Sequence, residues 1–154
     1  IKVIFYSEIE YPIIRYTPAI KSLNYIGNML AKKDADDAGT FEPVFYNGEG
    51  FITECAIRNI FFIEDKQLLT PSLELGVLPG VMRKIIISIA KKMNLTATEE
   101  KIPIESINAM DEAFISSTGI GLLPCSWDGW QSDFAITSKL KKRLDILIDS
   151  EETR

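Results

Sequence analysis

Histidine is absent from all 154 residues of the chain, so neither a Ser-His-Asp nor a Cys-His nucleophilic mechanism can operate within it. Cysteine is nearly absent. Cys55 and Cys125 stand far apart and lack metal-ligand spacing, which predicts free thiols in a reducing, cytoplasmic setting rather than a disulfide. Acidic residues are plentiful but none are clustered at the spacing a divalent cation needs, so no metal is expected. No apolar run approaches the roughly 20 residues that span a bilayer, and no secretory signal opens the chain. Positive charge is in deficit: 17 Lys and Arg against 22 Asp and Glu leave a net charge of −5 with no long basic tract, which argues against nucleic acid as the main partner. Methionine is missing from the first position. The chain opens on Ile1, directly into the strand-like IKVIFY, the pattern of a chain whose beginning is absent.

What is present is enough for one domain. With 46% hydrophobic and 25% charged residues, the chain can bury a real core and is not a disordered segment. Residues 2–6 and 12–16, rich in Ile, Val and Tyr, read as strands. From Ser22 to Ala38 the apolar Leu23, Ile26 and Leu30 recur at helical spacing, and Gly39 stands where a helix end favours positive φ. Two hairpins are expected, one around Asn47-Gly48-Glu49-Gly50 and one around Asp65-Lys66. A helix over 81–93, a strand over 96–102, a short helix after Pro103, strands on either side of Thr118-Gly119 and a closing helix over 136–148 complete one mixed α/β domain.

The stretch from Glu54 to Lys84 carries the most chemistry. It begins with a carboxylate at the end of a short strand, passes the apolar Ile60-Phe61-Phe62-Ile63, and reaches Gly76-Val77-Leu78-Pro79-Gly80 just before an amphipathic run. A glycine-flanked loop that opens a helix leaves backbone N–H groups facing outward, where the helix dipole favours an anion such as phosphate. Loops of this kind are also common without any ligand. On the residues alone, Glu54 is equally an edge-strand carboxylate left in water, Lys21 a solvated surface charge, Tyr25 a core residue, and Ser116-Ser117-Thr118 a polar loop after a strand.

Three segments carry a family resemblance. Glu54, followed after four residues by Asn59-Ile60-Phe61, then Leu69-Thr70-Pro71 and Leu78-Pro79-Gly80-Val81-Met82-Arg83, resembles the signature of the class IV aminotransferases. These are pyridoxal-phosphate enzymes of fold type IV, which include branched-chain and D-amino-acid aminotransferases and aminodeoxychorismate lyase. Upstream, Ile20-Lys21-Ser22-Leu23-Asn24-Tyr25 resembles the cofactor-lysine segment, and downstream Met110 to Gly119 resembles the second phosphate and substrate loop. The resemblance spans roughly Arg15 to Trp127.

It implies an α+β fold: a mixed, mostly antiparallel, barrel-like sheet with flanking helices, like the large domain of fold type IV enzymes. It implies one cofactor-binding domain over 1–154, with 1–20 a remnant of, or linker from, a smaller N-terminal domain. The cofactor is pyridoxal 5'-phosphate, held as a Schiff base by Lys21, which also shuttles protons and so suits a histidine-free chain. Tyr25 donates to the ring hydroxyl oxygen, Glu54 keeps the ring nitrogen protonated, Asn59 supports the pocket, and Leu78 lies against the ring. Val81 and Met82 hold the phosphate through backbone N–H groups, Ser117 and Thr118 through hydroxyl or backbone donors, and Gly119 borders the substrate. Cys55 and Arg58 depart from the glycine and small residues usual there, which bears on substrate preference. The activity implied is transfer of an amino group between an amino acid and a 2-oxo acid by a homodimer. The alternatives are 4-amino-4-deoxychorismate lyase and an inactive remnant kept as a dimerisation module.

Overall fold

A computed structural model describes residues 1–152 of the chain; residues 153 and 154 of the expected domain lie outside the described residues. The elements follow in the order β1 (Val3–Ser7), α1 (Ile26–Asp37), β2 (Glu42–Tyr46), β3 (Ile52–Cys55), β4 (Asn59–Glu64), β5 (Gln67–Pro71), α2 (Val81–Lys92), β6 (Ala97–Glu100), β7 (Glu112–Ser117), β8 (Gly121–Pro124) and α3 (Ala135–Glu152). 3-10 segments occupy Leu73–Leu75 and Ile104–Ala109.

Two sheets form. One has the order β1-β2-β3, with β1 parallel to β2; the other has the order β6-β5-β4-β7-β8, antiparallel except where β5 runs parallel to β6. The barrel-like closure expected from sequence is only partial. The sheets meet through the isolated bridges Lys2 to Ser126 and Phe51 to Pro103, with the Ile52 N–H donating to the Ile102 carbonyl at 2.8 Å. Pro103 has no N–H with which to extend a ladder, and no closed barrel forms among the described residues.

The apolar runs on β4 and β7 lack alternation because both faces of the pair are covered. One face carries Ile60, Phe62, Ala113 and Ile115 into a core shared with Val44, Ile52 and Cys55 of the smaller sheet. The other carries Phe61, Ile63 and Phe114 against Met82, Ile86 and Ile89 of α2 and Leu140 and Leu144 of α3. Phe61 and Phe114 stack across the strands with centroids 4.8 Å apart. The β4–β5 hairpin turns on Asp65 and Lys66, both at positive φ (47° and 63°), as a two-residue loop requires. The Asp111 carboxylate accepts the Asp65 N–H at 2.9 Å.

Two expectations fail near the N-terminus. Residues 12–16 are not a strand, because Pro12 removes a ladder donor. The segment instead lies as an irregular strap between α1 and the turn at Gly76. A Cβ on Gly27 would stand 2.5 Å from the Pro12 carbonyl oxygen, and one on Gly76 (φ 74°) would stand 3.0 Å from Arg15 Cβ. Helix α1 starts at Ile26, not Ser22, and buries the wrong face for its apolar periodicity. Gly27, Asn28, Ala31 and Ala35 point inward, while Leu23 is 100% exposed, Ile26 67% and Leu30 48%. Only small residues let the helix approach the strap and Phe45 this closely.

The N-terminus of α3 has a distant cap. The buried Glu112 carboxylate accepts the Ile136 N–H at 2.7 Å and the Thr137 N–H at 2.6 Å, supplying charge where the helix dipole is positive. Glu112→Gln keeps the shape but gives up the charge and one acceptor. It is expected to cost about 1–3 kcal/mol, lowering Tm by roughly 2–4 °C per kcal/mol for a chain of this size; an unchanged circular-dichroism melt would contradict the cap.

Candidate functional site

At the end of the β4–β7 pair, Asn59 and Ser116 stand opposite each other in register, and beyond them opens a cavity of about 300 Å³. That is the lower end of the size range of small-molecule sites. Its wall is assembled from the strap, the segment leading into α1, the β3–β4 connection, the loop into α2, and the β7–β8 turn. No single element could make it.

Glu54, the penultimate residue of β3, meets three partners in this wall. Its Oε1 forms an ion pair with Arg15 Nη1; its Oε2 accepts the Leu78 N–H at 3.2 Å and faces Asn59 Nδ2 at 3.4 Å. Asn59 Nδ2 also donates to the Leu78 carbonyl at 3.0 Å, stapling the 76–80 loop to β4. Gly80 has an ordinary φ of −58° and is needed for room: a Cβ there would overlap Asn59 Oδ1. The sequence motif of glutamate, asparagine and Leu-Pro-Gly is thus one hydrogen-bonded unit.

Across the cavity, Lys21 and Tyr25 are neighbours, with Lys21 Nζ 3.4 Å from the Tyr25 hydroxyl. Lys21 is exposed, on the irregular segment that leads into α1. Val81 and Met82 open α2 behind an N-cap glycine, and no side chain caps that helix, so its first N–H groups lack intrahelical partners. Ser117 and Thr118 border the same cavity, as does Leu78. Gly119 does not; it is exposed, with open space where a Cβ would be.

Arg15, from the N-terminal strap, lines the cavity and is held from behind by Glu8 and by Thr53 of β3, three residues to which the sequence reading gave no role. Ser116, the neighbour of Ser117 on β7, also lines it. The Ser116 hydroxyl, in a residue 1% exposed, has no hydrogen-bond partner although its residue borders the cavity. A buried polar atom left unpaired in this way is unusual and is the kind of group a ligand satisfies. On the far wall Arg58 pairs with Glu42, a fully buried carboxylate, and its guanidinium lies 5.0 Å from the Phe41 ring centroid. The departure from small residues at position 58 therefore places a neutralised cation in the wall.

Comparison with known proteins supplies the family. The model of the amino-transferase class IV family matches residues 1–126. The chain belongs to the class IV aminotransferases. It is 40% identical to a D-alanine aminotransferase of Listeria monocytogenes and 31% identical to the aminodeoxychorismate lyase of Bacillus subtilis. Each match runs over 105 residues, 68% of this chain and 36% of the relative. The branched-chain amino acid aminotransferase of Thermobaculum terrenum, in its PLP form, superposes with a TM-score of 0.81 at 25% identity, covering 96% of this chain and 50% of that one. The chain thus spans little more than a third of the curated relatives it matches. Its α+β architecture is that of fold type IV, whose enzymes use pyridoxal 5'-phosphate.

Burial raises the pKa of Glu54 above the ordinary carboxylate value of 4.5, and Arg15 and the Leu78 N–H only partly offset it. Glu42 is raised for the same reason against Arg58. Because the folded values lie above the unfolded ones, the stability linked to each group is fully present below 4.5 and is lost as pH rises through the raised value. Denaturant unfolding of the apo-protein between about pH 4 and 7 is therefore expected to show wild type losing stability relative to Glu54→Gln as pH rises. Parallel curves would contradict a raised Glu54.

Proposed function

We propose that this chain is a single domain over 1–154 that binds pyridoxal 5'-phosphate and transfers an amino group between an amino acid and a 2-oxo acid. The observation that carries the reading is the convergence of an amine, a carboxylate and an uncapped helix N-terminus on one cavity. Those groups suit an aldehyde, a pyridine nitrogen and a phosphate, and the unpaired Ser116 hydroxyl adds a donor beside the phosphate seat. When bound, this cofactor supplies an electron-withdrawing ring for the electrons released at the substrate's Cα.

In this reading Lys21 holds the cofactor covalently through its amine and, once freed by the substrate, moves the proton at the substrate's Cα. Tyr25 donates toward the ring oxygen, and Glu54 holds the ring nitrogen through a charge-assisted hydrogen bond. Asn59 supports the Leu78 loop, whose side chain excludes water from the ring. The backbone N–H groups of Val81 and Met82 seat the phosphate with Ser117 and Thr118. Gly119, outside the cavity wall, keeps only the substrate-side role the resemblance implies.

Borohydride reduction of protein incubated with pyridoxal phosphate, followed by peptide mapping, tests the assignment. The phosphopyridoxyl label is expected on Lys21 in wild type and Glu54→Gln, and nowhere in Lys21→Ala, whose turnover should fall by several orders of magnitude. A label on Lys84 would overturn the site, and no uptake at all would favour an inactive remnant. The similarity to a lyase supports a second reading, elimination from aminodeoxychorismate. Release of pyruvate and 4-aminobenzoate, without transamination of L- or D-amino acids to 2-oxoglutarate, would establish the lyase in its place.

A cytoplasmic setting accords with two free, buried cysteines, and no helix among the described residues is long and apolar enough to cross a membrane. The exposed Ile20, Leu23, Ile26, Met29 and Leu30 form an apolar surface beside the cavity that a second copy would cover in a homodimer. Light scattering at micromolar concentration is expected to give the mass of two chains; a mass of one chain contradicts the dimer.

A further inference from the structure

Residues 1–20, expected to be a remnant of or linker from a smaller N-terminal domain, place Glu8 and Arg15 in charged contact with the cavity wall. The Arg15 guanidinium is shared between two carboxylates. Nε and Nη2 donate to Glu8 Oε1 at 2.8 and 2.7 Å, Nη2 reaches Thr53 Oγ1 at 3.1 Å, and Nη1 pairs with Glu54 Oε1. The Thr53 hydroxyl donates in turn to Glu8 Oε1 at 2.6 Å. All three charged side chains are largely removed from water, with 17% of Arg15, 12% of Glu8 and 14% of Glu54 exposed.

The arrangement is directional. Glu8 and Thr53 grip the Nε and Nη2 side of the fork, so the remaining arm is fixed toward Glu54. That arm takes one carboxylate oxygen and leaves the other to the Leu78 N–H and the cavity. The strap that carries Arg15 is itself pinned, since Gly76 allows its closest approach at Arg15 and Tyr16.

We infer that Arg15 is the positioning residue of this site: it fixes the Glu54 carboxylate in place and in its ionised form through a guanidinium anchored on Glu8 and Thr53. The inference deepens the functional reading above and rests on it for the partner that Glu54 addresses. An opposite charge in contact favours the carboxylate form, whereas burial and the nearby Glu8 favour the acid. The other titratable groups lining the cavity are Tyr16, Lys21, Tyr25, Cys55 and Arg58, and Arg58 is paired with the buried Glu42 behind the wall. Without Arg15, a proton shared between Glu54 and a bound pyridine nitrogen would shift to the carboxyl group, and the ring would lose its charge. The proton only changes owner; no bond to carbon is made or broken.

Two measurements separate this inference from the functional reading. In the apo-protein, the Glu54 carboxyl carbon is followed by NMR through a pH titration in wild type and Arg15→Gln. Its midpoint is expected to rise by about 1–3 pH units in the variant; coincident curves would overturn the role of Arg15 whether or not any cofactor binds. With ¹⁵N-labelled pyridoxal phosphate, the ring nitrogen of the wild-type complex is expected to be protonated at neutral pH and that of Arg15→Gln unprotonated. Equal nitrogen shifts would overturn the inference, and wild-type protein that takes up no pyridoxal phosphate would overturn the functional reading instead. Should Arg15→Gln fail to fold, Arg15→Lys keeps the charge but cannot reach both carboxylates at once. Its Glu54 midpoint is expected above that of wild type, and identity with wild type counts against the inference.

Discussion

The pairing of β4 with β7 is the constraint on which the rest of the molecule depends. Five residue pairs lie in register from Asn59 and Ser116 to Ile63 and Glu112, and both faces of the ladder are buried. Alternation along the strands sends Ile60, Phe62, Ala113 and Ile115 to one core and Phe61, Ile63 and Phe114 to the other. A slip of one residue would exchange the two sets and move the polar ends out of the cavity. At one end of this ladder Glu112 caps α3; at the other, Asn59 holds the loop that starts α2. The same pairing that joins the two cores therefore sets where both helices begin.

Buried charge is concentrated where segments distant in sequence must meet. Arg83, 2% exposed, ties α2 to the Pro71 carbonyl at 3.0 Å and to Glu99 at 2.9 Å. Arg58 with Glu42 joins the β3–β4 connection to β2, and Arg15 with Glu54 joins the strap to β3. Pairs of this kind contribute little net stability, because desolvation offsets much of their attraction. Their effect here is to choose one arrangement of loops around the cavity, since any other leaves a charge buried without its partner. Raised carboxylates at positions 42 and 54 are the energetic trace of that choice.

Much of this was legible from local chemistry. The Asp65-Lys66 turn, the Asn47–Gly50 hairpin and the 3-10 segment behind Pro103 follow from backbone preferences that neighbours a few residues away decide. The cavity residues recognised by resemblance, from Lys21 through Glu54 and Leu78 to Thr118, do border one space. Helix α1 shows where periodicity misleads: Leu23, Ile26 and Leu30 make the better apolar stripe, but the buried stripe is Gly27, Ala31 and Ala35. Packing distance, not hydrophobicity, selected the inward face, and spacing alone carries no information about distance.

The sequence by itself determined most of the element types, the turns, the absence of histidine chemistry and the residues that the family resemblance would set around a cofactor. Those follow from side-chain chemistry and from φ preferences that act within a few residues. Only the tertiary structure decided that Arg15 and Glu8 stand behind Glu54, that Ser116 keeps an unpaired hydroxyl beside the cavity, that Gly119 lies outside it, and that Glu112 serves a helix 24 residues away. Each of these depends on which segments lie next to each other once the strands are paired, and an ion pair between residues 39 apart leaves no periodic mark on the chain.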